Sequence, residues 1–439
     1  MKNKLRGSLY IKNINVITMD GSETVNGASV LVEDGRIAKI DPEGVEEKNI
    51  EVLDGLGGYL MPGLFDMHVH LNDDAHLPLF LLNGITGIRE MGNTDSAIFD
   101  TRQKLSSGSL LGPTMYVCGP ILEGDPPLWD GFRVVKAKQE ALDAITELKG
   151  KEVDFIKAYH TLNSDLLQTI IDREHSEGLK VTGHVSYDLD AAQAIGMGQD
   201  GIEHMNDIAE MIGDIEMREA CEGEDPDYSV FTGYRIKDKA LNELLGSLSK
   251  DIYLCPTLVL NERMAALSDY EGLKEMPELE YIDEHYQNVD WNPSNADSSP
   301  NINDLAPQFF RNLSVINKGV WPIIGQLAER GTLLAGSDTP NPFVVPGFSL
   351  IRELELLVET GISNHQALAA ATVNGAEFLG QTDKVGTIST GKIANMIVLE
   401  DNPLEDITAL KNIKGTILNG IYYTKEHLEA LALEQKRNS

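Results

Sequence analysis

The chain has 439 residues, 42% of them apolar, which allows a large buried core and exceeds a single small domain. Its formal charge is −33, from 36 Lys and Arg against 69 Asp and Glu, which argues against nucleic acid or anionic membrane as partners and disfavours large anionic substrates. The three cysteines, Cys118, Cys221 and Cys255, lie far apart without C-x-x-C spacing, so a disulfide framework or a Cys-type zinc site is not expected and a reducing, cytoplasmic compartment is.

The N-terminus, MKNKLRGSLYIKNINVITMD, alternates apolar and polar residues without a continuous apolar run. It predicts a strand rather than a signal peptide or a membrane span. Residues 8 to 60 continue as short alternating runs broken by Gly, Asp and Asn, and Asp34-Gly35 predicts a hairpin. Apolar runs then alternate with helical stretches: FDMHVHL, TGIREMG, TMYVCGPIL, FIKAYH, KVTGHV, GIEHM, YLCPTL and LLAGSD. Helical patterns such as LNSDLLQTIIDREHSEG and DLDAAQAIGMGQ separate most of them. Eight strands alternating with helices predict an α/β fold, a parallel TIM (β/α)8 barrel over residues 62–380.

One segment, Asn261 to Asn317, is long, polar and rich in Pro, Asn and Ser. It reads as an elaborated loop with helices after the seventh strand, either covering the barrel mouth or serving as decoration or a subunit contact. GTISTGKIANMIVLED (Gly386 to Asp401) and GTILNGIYYT (Gly415 to Thr424) repeat the β texture of the N-terminus. Five or six strands from residues 1–61 and 381–439 thus predict a small β-sandwich made by both chain termini. The tail from Lys425 predicts a charged surface helix.

Side chains alternate faces along a strand, so His68 and His70 in FDMHVHL point the same way and can grip one ion. Active sites of such barrels lie at the C-terminal strand ends. There the sequence also places Lys157, His184, His204 and Asp338. Lys157 stands between apolar Ile156 and Ala158, an odd setting for a solvated lysine. Tyr159 and His160 follow it and are candidates to reach substrate. Glu203 faces away from His204 and reads as supporting or structural. His76, His175, His285, His365 and His427 fall in helix or loop patterns and are expected in solvent.

PGLFDMHVHL, DFIKAY, GLKVTGHV, GIEHM, LLAGSDTP and VGTISTGKIANMIVLEDNPLEDI together resemble the amidohydrolase superfamily of metal-dependent hydrolases. Within it the chain is most similar to the prolidase-like and imidazolonepropionase-like members. The resemblance implies two divalent ions, with zinc expected. His68, His70 and Asp338 would hold one and His184 and His204 the other. Lys157, carboxylated by carbon dioxide, would bridge them, and Asp338 would shuttle the proton. It also implies a small-molecule substrate, no nucleic-acid or membrane partner, and a homo-oligomer. The chain departs from the family's C-terminal Gly-Lys-x-Ala-Asp at Asn395, where a packing or turn detail is in question.

Three functions fit to different degrees. A binuclear hydrolase of amide bonds in a peptide-like or N-acyl amino acid substrate uses every member of the set. A mononuclear cyclic-amide hydrolase or deaminase would lack the bridging lysine and keep a glutamate near the fifth-strand histidine, which VTGHVSYD does not offer. A binding protein that only retained the barrel would leave the ligand set without a purpose.

Overall fold

The computed structural model describes residues 7–437 apart from 46, 48–49, 93–96, 222–228 and 299–301. Both ends of the chain enter one eight-stranded sheet. Its path runs Ile421–Thr424, Ile413–Leu418, Met396–Leu399, Tyr59–Pro62, Leu9–Val16, Val25–Glu33 and Arg36–Ile40, with Glu51–Asp54 also paired to Leu9–Val16. The first strand buries Leu9 and Ile11 and then Ile14 and Val16. Asn13, at φ 53°, sits at the register shift that moves the buried set by one residue. Asp34 and Gly35, at φ 48° and 77°, form the expected tight hairpin turn. The two C-terminal runs divide differently from expectation. Only Met396–Leu399 of the first is a strand, because residues 386–395 turn on Gly386 and Gly391; the second is a hairpin around Asn419-Gly420. Asn395 is the turn detail: its Oδ1 accepts the Asn419 N–H at 2.8 Å and its carbonyl the Gly63 N–H at 3.0 Å.

The parallel part falls into two sheets. One contains Leu64–Val69, Ile85–Glu90 and Thr114–Val117. The other runs Arg133–Val134, Leu122–Glu123, Ile156–Ala158, Val181–Gly183, Gly201–Glu203, Tyr253–Cys255 and Thr332–Leu333. Their edges meet where Met67 donates to Ala335 O, Asp338 to His68 O and His70 to Thr339 O, each at 2.8 Å. Gly336 permits this approach, since a Cβ there would lie 2.5 Å from Cys255 Sγ and 2.7 Å from His68 Cβ. Helices separate the strands as predicted. Ser164–Ser176 starts on an Asn163 cap, and Ala191–Met197 on an Asp190/Gln193 capping box, ending on left-handed Gly198.

Several expectations need correction. TMYVCGPIL is two strands, split at Gly119, whose φ of 72° breaks the run. His70, His184 and His204 lie one residue beyond their strands rather than on them, and Asp338 lies in the loop that follows Thr332–Leu333. His204 and Asp338 have φ of 64° and 63°, left-handed values that no strand accommodates. An antiparallel hairpin, Gly213–Arg218 with Val230–Ile236, has no counterpart in the predicted elements. The C-terminal helix Lys425–Lys436 buries Leu428 and Ala432 in the same cluster as Leu79 and Leu82, so one face of it is core. His76 is buried and packs on Tyr286 at 5.5 Å, not in solvent. No helix among the described residues is long and apolar enough to cross a membrane.

Candidate active site

The predicted residues converge at the ends of the parallel strands. Five imidazoles form a row, with ring centres 5.4 Å apart for His70–His68, 4.6 Å for His68–His204, 4.6 Å for His204–His184 and 4.2 Å for His184–His160. Asp338 Oδ1 lies 3.5 Å from both His68 Nε2 and His70 Nε2, and its Oδ2 lies 3.7 Å from His204 Nδ1. Lys157 Nζ stands 3.4 Å from His68 Nε2. Tyr159 packs edge-on against His184 at 4.4 Å. All of these except His68 line one cavity of about 720 Å³.

The chain fixes which ring nitrogen is available. His70 Nδ1 donates to Gly92 O at 2.7 Å and His160 Nδ1 to Val185 O at 3.1 Å, because a carbonyl can only accept. His68 Nδ1 donates to Glu203 Oε2 at 2.9 Å, which leaves Nε2 with its lone pair toward Asp338. His204 Nδ1 meets Thr257 Oγ1 at 2.8 Å, and His184 Nδ1 meets Asp207 Oδ2 at 3.2 Å. Glu203 is thus the support anticipated for it, but its partner is His68. Arg89 Nη2 and Thr182 Oγ1 hold that carboxylate at 2.8 Å and 2.6 Å, and Arg89 stacks on Phe378 at 4.6 Å. Asp66, fully buried, accepts from Ser337 Oγ at 2.6 Å and so ties the first parallel strand to the loop bearing Asp338.

Burial sets the protonation of the site. It holds His68, His184 and His204 well below the ordinary histidine value and His70 down to about 3, so these imidazoles are neutral ligand-type donors. Burial also lowers Lys157 and raises Asp338 to about 7. Asp338 Oδ1 is buried without a hydrogen-bond partner. An unsatisfied carboxylate oxygen facing two imidazole lone pairs is a donor set that fits a divalent cation, and a cation there would pull the Asp338 pKa back down.

The profile of the Amidohydrolase family matches residues 59–421. The chain belongs to the amidohydrolase family. Amidohydrolases are metal-dependent enzymes acting on carbon–nitrogen bonds. The chain is 23% identical over 450 residues to an imidazolonepropionase of Clostridium tetani, covering 90% of this chain and 92% of that one. A dihydroorotase of Carboxydothermus hydrogenoformans is 38% identical over 96 residues, a match spanning only 20% of this chain and 22% of the relative. Among solved structures, an Xaa-Pro dipeptidase with methionine bound in its active site has a TM-score of 0.68 at 18% identity, covering 95% of this chain and all of the other. This likeness concerns the fold, and it implies a TIM barrel for the parallel part.

Some members of this amidohydrolase site escape the sequence reading. Asp66 stands two residues before His68 on the same strand face, and Arg89-Glu90 is a charged pair inside an apolar run; both signals are in the sequence. Asp207 and Thr257 carry no such mark.

The buried carboxyls also predict how the metal-free protein responds to pH. Burial pushes Glu90 and Glu353 up to about 8, and Asp338 up to about 7. Unfolded, these groups ionise near pH 4. Between about pH 6.5 and 8 the folded chain therefore holds more protons than the unfolded chain, and stability falls as pH rises. The lowered histidines act in the opposite sense only below about pH 6.5, and Lys157, lowered by burial, is a single opposing group against these carboxyls above it. The Tm of chelator-treated protein is expected to decline as pH rises from about 6.5 to 8. A Tm that climbs steadily to pH 8 contradicts this.

Proposed function

We propose that this amidohydrolase cleaves an amide bond in a small peptide-like or N-acyl amino acid substrate, using two divalent ions, zinc by expectation. His68, His70 and Asp338 would hold one ion, His184 and His204 the second, and a carboxylated Lys157 would join them. The observation that carries this reading is the placement of Lys157. It is 2% exposed, lies 3.4 Å from His68 Nε2, and lines the same cavity as His70, His184 and His204. Burial lowers its pKa, and the unprotonated amine is the form that bonds to carbon dioxide, releasing one proton to leave an anionic carbamate. A bare ammonium beside cations would instead be repelled.

When bound, such ions polarise the scissile carbonyl and make a water acidic enough to attack near neutral pH. The residues of the chain do the rest. Glu203 and the Gly92 carbonyl fix the rings of His68 and His70. With Oδ1 turned to His68 and His70, Asp338 would accept the proton of the attacking water at Oδ2 and pass it to the leaving nitrogen. Tyr159 and His160 line the wall on the side of His184 and would contact the substrate. Trp291, anchored by its Nε1 donating to Pro340 O at 3.1 Å, also lines the cavity and gives the 261–317 segment a part in the site. The shared terminal sheet supports reading residues 1–61 and 381–439 as one β-sandwich unit beside a closed barrel of residues 62–380.

Asp207, 3.2 Å from His184 Nδ1, favours a second reading. It supplies a carboxylate next to the fifth-strand histidine, as a one-ion cyclic-amide hydrolase or deaminase requires, and the likeness to imidazolonepropionase agrees. A panel of dipeptides, N-acyl amino acids, lactams, esters and an aminopurine, assayed with zinc-loaded enzyme, separates the two. Turnover of linear amides is expected; turnover confined to lactams or to the aminopurine would replace the first reading by the second.

A further inference from the structure

The cavity that holds the site is lopsided in charge. Among its described lining residues, Lys157 is the only lysine or arginine, and it lies at the floor. The rim carries Asp130, Glu210 and Asp290. Asp290 has His285 at 3.7 Å, whereas Asp130 and Glu210 have no ion pair or side-chain hydrogen bond among the described residues. Glu210 lies close enough to Asp207 for the two carboxylates to repel, which adds to the negative character of that side.

The walls between floor and rim are aromatic. Trp129, 39% exposed, and Tyr187, 66% exposed, stand at the mouth. Phe132 meets Tyr159 edge-on at 5.0 Å, and Tyr187 stacks on His160 at 4.7 Å. The loop that bears Trp129 and Asp130 is fixed, because Leu128 N–H donates to the buried Glu123 carboxylate at 3.0 Å. Asp338, 5% exposed with an unpartnered Oδ1, shows that the same cavity is built to receive a ligand.

We infer that the substrate carries a positive charge, an ammonium or guanidinium group, seated among the mouth aromatics and facing Asp130 and Glu210, and that it presents no free carboxylate to this wall. Aromatic faces attract cations and carboxylates pair with them, whereas a substrate carboxylate here would meet like charge. The net charge of −33 steers the same class of molecule toward the opening. The inference rests on the amide-hydrolase reading and narrows it, keeping cationic peptide-like amides and turning away N-acyl amino acids.

The test uses binding, so it does not depend on turnover. Butylguanidinium, its uncharged isostere butylurea, and pentanoate are titrated into metal-loaded enzyme by calorimetry, at low salt and at 0.5 M salt. Butylguanidinium is expected to bind at least about tenfold more tightly than butylurea, with the margin shrinking at high salt. In the double variant Asp130→Asn, Glu210→Gln, two exposed positions outside the catalytic set, the margin should fall to about twofold or less. Equal binding of butylguanidinium and butylurea, tightest binding of pentanoate at the wall, or an unchanged margin in the double variant overturns the inference. A cation preference without hydrolysis of any amide would refute the amidase reading alone, and amide hydrolysis without a cation preference would refute this inference alone.

Discussion

Asp338→Asn is expected to lower kcat by on the order of 10²–10⁴, the usual cost of losing a positioned acid/base group. The carboxylate is buried at the meeting point of His68, His70 and His204, and its Oδ1 has no other partner. Asn keeps the shape and one acceptor oxygen but cannot take up a proton. The metal content of the variant must be measured beside its activity, because loss of a ligand would deepen the defect. Activity of the parent enzyme should also fall as pH drops, once Asp338 is protonated. A variant that keeps both its metal and near-full kcat on the best substrate would remove Asp338 from proton transfer.

Lys157→Ala is expected to abolish activity and strip most of the bound metal. The side chain approaches His68 Nε2 at 3.4 Å and lines the cavity with His70, His184 and His204, so its removal takes out the group that would join the two halves of the site. The carbamate proposal adds a sharper consequence. A short carboxylic acid such as propionate supplies two oxygens where the carbamate would stand, and it should restore part of both metal content and rate to the alanine variant. A Lys157→Ala enzyme that binds two ions and turns over at the parental rate without added acid would exclude a bridging role.

How much of this is legible in the sequence depends on what the backbone does locally. Strand alternation predicts that His68 and His70 share a face, and the two rings do stand side by side, 5.4 Å apart. The caps at Asn163 and Asp190 are local patterns, and the helices start where those patterns place them. By contrast, the left-handed backbone at His204, Thr257 and Asp338 leaves no trace in residues that rarely adopt it, so the strands read too long and the turn that aims each side chain stays hidden. Contacts of high sequence separation are hidden too. Arg89 to Glu203 and Asp66 to Ser337 join residues 114 and 271 positions apart, and neither pair shares a periodic pattern. The terminal sheet was visible as β texture, but its eight strands exceed the expected five or six because Asn419-Gly420 divides one run into two and Glu51–Asp54 is an extra short strand. The mouth aromatics Trp129 and Tyr187 lie in two separate loops, where no spacing rule applies.

The most direct test of the account is the number of ions in each chain. Protein produced with added zinc and bicarbonate, and purified without chelator, is analysed for metal by mass spectrometry against amino-acid quantification. The proposed site predicts two equivalents of divalent metal per chain, falling to one or fewer in Lys157→Ala. A parent enzyme that is fully active with a single equivalent would contradict the binuclear site and transfer the mechanism to the one-ion reading.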